Sequence, residues 1–435
     1  MIMRSKVLLT LAMISAACLT ARAQAPAATD SSSTAAATPA AQTTTPATPP
    51  AATDSSSAPA AQTPAPATPP AAAPAAAPPT WSAGPIDFSG EVSGYYSYNA
   101  NHPAHGVGNE LYNFDTQSNA MDLAFAKLAM SHSPDPVGFE LDFGFGRTIN
   151  VINAAEPTTE GFQYIEQAYV EWKPAKAKGF EIDFGKFSTS AGAEVIEDYS
   201  NWNYSHSLLF AWAIPYYHFG VRTSFPVGKH FTGGVQVVNG WNDITDTVNS
   251  GKTIGLTGAL AYAKATFNIN YYTGPMNQGT NKGFRNLIDM TLLLTPPGKI
   301  NDYINFDYGN NGNSLCPTCT VPSTKASASW YGIADALHLQ INGKWALTPR
   351  IEWFDDPAGY TLGGFIVGPT LKGQQVKEVT MTLEYKLLEG LLWRLEWRRD
   401  WSNQPIFERG PAFGQFIKSQ NTATIAVIAF FGPKR

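Results

Sequence analysis

From Ile86 onward, apolar and polar side chains alternate with a period of two, run after run, almost to the C-terminus. Two is the side-chain period of a β-strand. Ile86, Phe88, Val92, Tyr96 and Tyr98 alternate with Asp87, Ser89, Glu91, Ser93 and Ser97. Leu391, Trp393, Leu395 and Trp397 alternate with Arg394, Glu396 and Arg398. About sixteen such runs lie between residues 86 and 431. Each must cover one of its faces with something apolar.

The connections between runs alternate in length. Short links, among them Ser133–Pro136, Pro174–Lys178, Pro226–His230, Pro296–Gly298 and Leu388–Glu389, are rich in Pro and Gly, as tight turns require. Long links span 99–119, 150–162, 189–215, 242–252, 275–285, 310–329, 357–375 and 402–419. Short turns at one end and long loops at the other predict an all-β fold over residues 84–435. It is a transmembrane antiparallel up-and-down β-barrel of about sixteen strands, with both termini on the short-turn, periplasmic side. Closure leaves no unpaired strand edge in lipid. Past the N-terminus no stretch of about eighteen apolar residues offers a spanning helix. Aromatic residues are 12 % of the chain and gather near run ends, as at Tyr95–Tyr98, Trp172, Trp241, Trp345 and Trp401, where interfacial girdles fall.

Residues 1–23 read as a secretory signal: Arg4 and Lys6, an apolar Val7–Leu19 stretch, then Ala21-Arg22-Ala23. Residues 24–80 are almost wholly Ala, Pro, Thr, Ser and Gln, with PAATDSSS repeated from Pro26 and from Pro50. Such a segment has nothing large to bury and predicts a disordered periplasmic linker, a spacer or a tether touching peptidoglycan. Net charge is −5, with no basic cluster, so nucleic acid is not expected as a partner.

The stretch Gly185 to Val227 contains Gly185-Lys186-Phe187, Gly192, Glu194, Asn203-Tyr204-Ser205, and Pro215 followed by His218-Phe219-Gly220-Val221-Arg222. A second patch runs Arg350-Ile351-Glu352-Trp353-Phe354-Asp355-Asp356, then Gly359. Together they resemble the OmpL-like β-barrel porin family. The resemblance implies a bacterial outer-membrane porin, surrounded by outer-membrane lipid, passing small hydrophilic solutes or ions by passive diffusion. Porins of this size often form homotrimers. The alternative is a plugged barrel acting as a binding or envelope-anchoring protein.

The longest link, 189–215, is the third. Similarity of position to porins in general places it in the lumen as a constriction, where Glu194, Glu197, Asp198 and His206 would favour cations. The alternative is a solvated outer loop. The strand period points Lys186, Arg222, Arg350, Glu352, Arg394, Glu396 and Arg398 inward, as lumen-facing charge or as Arg–Glu braces of the wall. Cys316 and Cys319 predict a local disulfide in an outer loop, since export leads to an oxidising compartment. No metal site is expected, because two more ligands are lacking nearby. Ser205 and His206, adjacent in a loop, do not make a nucleophile with an oriented base, so no catalytic residue and no cofactor are expected.

Overall fold

The computed structural model describes residues 82–312, 327–363, 365–367 and 370–432. The expected signal, the linker, Cys316 and Cys319 lie outside the described residues. The barrel strands are β1 Ile86–Asn99, β2 Ala120–His132, β3 Val137–Phe145, β4 Ile165–Trp172, β5 Glu181–Ser188, β6 Tyr217–Val227, β7 Phe231–Val238 and β8 Thr253–Tyr262. They continue as β9 Ala265–Asn277, β10 Thr280–Leu294, β11 Ile300–Asn311, β12 Ala328–Gln340, β13 Trp345–Asp356, β14 Gln374–Leu388, β15 Leu391–Ser402 and β16 Ser419–Phe431. Each pairs antiparallel with its sequence neighbours, and β16 pairs with β1 from Gly90↔Phe431 to Asn99↔Thr422, closing the barrel at sixteen strands.

The alternation in the sequence is the alternation of the wall. On β15, Trp393, Leu395 and Trp397 are 43–56 % exposed on the outer face, while Arg394, Glu396 and Arg398 are 1–2 % exposed within. An apolar outside and a charged inside match a barrel whose solvent is lipid.

One expectation needs correcting. The fifth long link, 275–285, is a two-residue turn, because β9 runs on to Asn277 and β10 begins at Thr280. Pro275 reads as a strand breaker but sits where the register slips between Pro275 and Asn277, and a bulge tolerates its missing N–H. Gly279 takes the turn's left-handed conformation, φ 70°. Nor is the interior wholly polar. Leu208, Leu209, Phe210, Ala213 and Ile214 of the third loop form a buried apolar cluster with Phe114, Ile149, Trp330 and Phe354. The wall is cut to receive them. A Cβ on Gly309 would stand 2.0 Å from the Trp330 ring, and one on Gly332 would stand 2.7 Å from Leu209.

Candidate functional site: the third loop inside the barrel

The third loop, residues 189–216, leaves β5 at Ser188 and rejoins the wall at β6, its base closed by the Thr189 amide on Tyr216 O, 3.0 Å. Between these points it crosses the lumen and is bonded to most of the wall. Gly192 N donates to Asp289 on β10 at 3.0 Å, and Ala193 N to Asn305 on β11 at 3.1 Å. Tyr204 N and Ser205 N donate to Glu396 on β15 at 2.7 and 3.0 Å. Leu209 N donates to Glu352 on β13 at 3.3 Å. On the far side, Asp198 N donates to Glu91 of β1 at 3.3 Å, and Ser93 donates to the Asp198 carboxylate. A segment of 28 residues with little regular structure has many unpaired amides. Here the inward carboxylates of the wall satisfy five of them, and Asn305 a sixth.

All four expected constriction residues lie on this loop, but they do not ring an opening. Glu194 accepts from Arg350 Nη1 at 2.8 Å, from the Ser207 amide at 2.7 Å and from the Tyr303 hydroxyl at 3.1 Å. Burial works to raise its pKa, but Arg350 and the Ser207 amide outweigh burial and hold the carboxyl below the usual range. Glu197 meets Lys127 of β2 at 2.5 Å, and this cation holds its carboxyl below the usual range against burial. Lys127 also reaches Asp142 at 2.9 Å and Glu166 at 3.1 Å. Burial raises the Asp198 carboxyl. His206 places Nε2 2.8 Å from Val195 O, its ring against Phe114 and Phe210 with both centroids at 4.7 Å. Three of the four are buried to 6 % exposure or less. The group ties the loop down.

The inward charges play the complementary part. Arg350, with no exposed surface, joins Glu194, Glu352 at 3.2 Å, Glu378 at 3.2 Å and the Ser205 carbonyl at 2.7 Å. Arg394 donates to the carbonyls of Asp198, Asn201 and Asn203 and pairs with Glu384 at 2.9 Å. Arg398 donates to His206 O at 2.8 Å, pairs with Asp400 at 2.8 Å and lies over the Tyr112 ring. Lys186 is not lumen-facing charge: it is 1 % exposed, donates to Asn153 and to Ile165 O, and sits over Tyr217, covered by the second long loop. Arg222, paired with Asp183 at 2.6 Å, keeps 27 % of its side chain exposed. Lys127, Glu91 and Asp289 escaped sequence reading. Lys127 carries a signal in hindsight, a lone lysine in the otherwise apolar LAFAKLAM.

Cavities remain around the loop. One of about 580 Å³ opens on the short-turn side beneath Trp202, which stacks on Tyr303 and His338 with centroids at 5.3 and 5.2 Å. One of about 190 Å³ lies on the long-loop side, between Trp212, Trp241, Arg285 and Tyr360. A third, about 180 Å³, runs between the loop at Glu194–Glu197 and the wall at Gln167 and Ser188.

A closed sixteen-strand barrel, apolar outside, with a loop folded into its lumen and cavities on either face, is the architecture of an outer-membrane porin. The chain belongs to the putative beta-barrel porin-2, OmpL-like family, whose profile matches residues 85–431. No curated protein matches the sequence. Among solved structures the fold is similar to an anion-selective porin from Comamonas acidovorans (TM-score 0.54, 9 % identity, 80 % of this chain and 99 % of that one). It is also similar to Salmonella typhi OmpF in complex with daunomycin (0.54, 12 %, 80 % and 97 %). The outer membrane channel DcaP of Acinetobacter baumannii is a third (0.52, 12 %, 80 % and 97 %). Identities this low show the shared fold. The protein is an outer-membrane porin.

Proposed function

We propose that small hydrophilic solutes cross this barrel by passive diffusion through the gap between the third loop and the β4–β5 wall. The observation that carries this reading is the cavity of about 180 Å³ left between Glu194–Glu197 of the loop and the wall at Gln167 and Ser188, which shares Tyr216 with the cavity on the long-loop side. There is no chemical step. Glu194 and Glu197 flank the gap already neutralised by Arg350 and Lys127, so their work is to fix the loop's position and with it the gap's width. Partly exposed Arg222 and its partner Asp183 lie on the neighbouring strands β5 and β6. Liposome swelling with a graded series of sugars tests the reading. Entry of monosaccharides with exclusion of tetrasaccharides supports it, and no swelling with any solute refutes it.

One observation favours a second reading. The loop is bonded from β1 round to β15, and that favours a plugged barrel with a binding or anchoring role. Such a barrel would fold, resist swelling and conduct nothing. The linker before Ser82 belongs, on this proposal, to the periplasm, because β1 starts at the short-turn end. Contact with peptidoglycan predicts co-sedimentation with sacculi that deletion of residues 24–80 abolishes. A homotrimer predicts a cross-linked species of three chains.

A further inference from the structure

The cavity on the long-loop side contains a cation without an acid. Arg285 enters it from the inward face of β10, partly exposed, its guanidinium 4.7 Å from the Trp241 ring and 5.5 Å from the Tyr360 ring. Nε donates to Asn311 Oδ1 at 3.2 Å, and Nη2 donates to the Tyr360 hydroxyl. Among the described residues no carboxylate lies within salt-bridge distance of it. Arg222, Arg350, Arg394 and Arg398 each have one. Neutral acceptors and ring faces hold the Arg285 fork in place and leave its charge uncompensated.

The surroundings narrow what would compensate it. Trp212 and Trp241 are partly exposed and offer flat apolar faces, while Trp330 is fully buried behind Tyr360, stacked on it at 5.4 Å. The indole N–H groups of Trp212 and Trp330 are spent on Leu111 O and Ala213 O, both at 3.0 Å, so these rings present faces rather than donors. About 190 Å³ equals the liquid volume of roughly six water molecules, room for one ring and not for a chain of them. A planar guanidinium matches a carboxylate in shape and charge. Aromatic faces take a ring.

We infer that this cavity binds a small ring compound bearing a carboxylate, the carboxylate on Arg285 and the ring against Trp212 and Trp241. As a statement about which solute the barrel admits, this rests on the porin reading; as a binding site, it does not.

Titration calorimetry on the full chain, refolded in detergent, tests it with benzoate, galacturonate, acetate and phenol. The expected result is saturable binding of benzoate or galacturonate, with acetate and phenol at least about ten-fold weaker, since phenol forgoes the hydrogen bond between charged groups and acetate forgoes the ring buried against the aromatic faces. Benzoate ahead of galacturonate identifies an aryl acid as the ligand; the reverse order identifies a sugar acid. Arg285→Gln should weaken both about ten-fold or more, with heat-modifiable migration unchanged. Tyr360→Phe, which removes the hydroxyl and keeps the cation, should leave binding within a few-fold. Phenol binding as tightly as benzoate, acetate as tightly as either ring acid, or Arg285→Gln binding unaltered would each overturn the inference. So would no heat from either ring acid. If Arg285→Gln does not refold, Trp241→Ala decides: the ring acids must weaken, and unchanged affinity overturns the site. Loss of conductance with binding intact would count against the porin reading alone.

Discussion

Arg350→Met is the sharpest perturbation of the loop. Arg350 joins Glu194, Glu352, Glu378 and the Ser205 carbonyl with none of its surface exposed, and Arg398 reaches Glu378 only at 3.9 Å. Removing one partner of a buried ion pair costs about 3–5 kcal/mol, because the remaining charges are left uncompensated. The β-ladder does not depend on this side chain, since β13 pairs with β14 over Trp345–Asp356 through its backbone. Glu352 and Glu378 stay in the wall whether or not the loop is docked, so the share that falls on docking is the loss of the buried Arg350–Glu194 pair and of the bond to Ser205 O. At about 1.4 kcal/mol per factor of ten, the population of loop-released barrels should rise a hundred-fold to several-thousand-fold. Hydrogen exchange reads this directly at Tyr204, Ser205 and Ser207, whose amides are bonded to Glu396 and Glu194. Their protection should fall by that factor while β13 and β15 amides keep theirs. Adding Glu194→Gln should recover part of the loss, because one uncompensated charge goes with it. Protection at these three amides unchanged within ten-fold, in a folded barrel, would refute the view that buried ion pairs hold the loop.

Other consequences follow from the same contacts. Replacing Glu194, Glu197 and Asp198 by their amides should raise conductance and current noise by loosening the loop, while shifting the reversal potential in a salt gradient little; a large loss of cation preference would restore them to a constriction ring. In the first long loop, burial and then Glu396 push the Asp115 carboxyl up to about 8, and burial and then Glu408 push Glu110 up to about 7. With folded pKa values raised, the docked loop binds protons that the released loop does not, so docking is fully favoured below the ordinary carboxylate range and weakens as pH rises through 7 to 8. Proteolysis within residues 100–119 should accordingly quicken from pH 5 to pH 9, and Asp115→Asn should flatten the profile. Gly332→Val, whose Cβ would meet Leu209 and the Trp353 carbonyl alike at 2.7 Å, should loosen the loop and strain the adjoining wall, seen as faster exchange of the Leu209 amide that is bonded to Glu352.

The strand alternation carried the barrel, its even strand number and the inward set on β13 and β15, because a period-two pattern and a lipid solvent leave one solution. The error at 275–285 arose because Pro275 and Gly283 look like breakers when a bulge and a two-residue turn absorb them. The position of Glu194, Glu197 and Asp198 on a loop was legible; their partners were not. Arg350 is 156 residues from Glu194, and Glu396 is 192 from Tyr204, separations that only closure of the barrel brings together. The apolar cluster at Leu208–Ile214 reads in sequence as a weak strand, and nothing local says that it packs inside a barrel. Arg285 reads as the last residue of the expected 275–285 link, and neither its place on β10 nor the lack of a carboxylate beside it shows in the sequence.

On the diffusion reading, a hydrated gap persists beside a loop pinned by ion pairs. Single-channel recording of the refolded protein in a planar bilayer decides it. Wild type should show discrete, small, steady conductance steps, and Arg350→Met larger, noisier ones. Silence from a heat-modifiable, correctly folded wild-type barrel would contradict it and leave the plugged barrel standing.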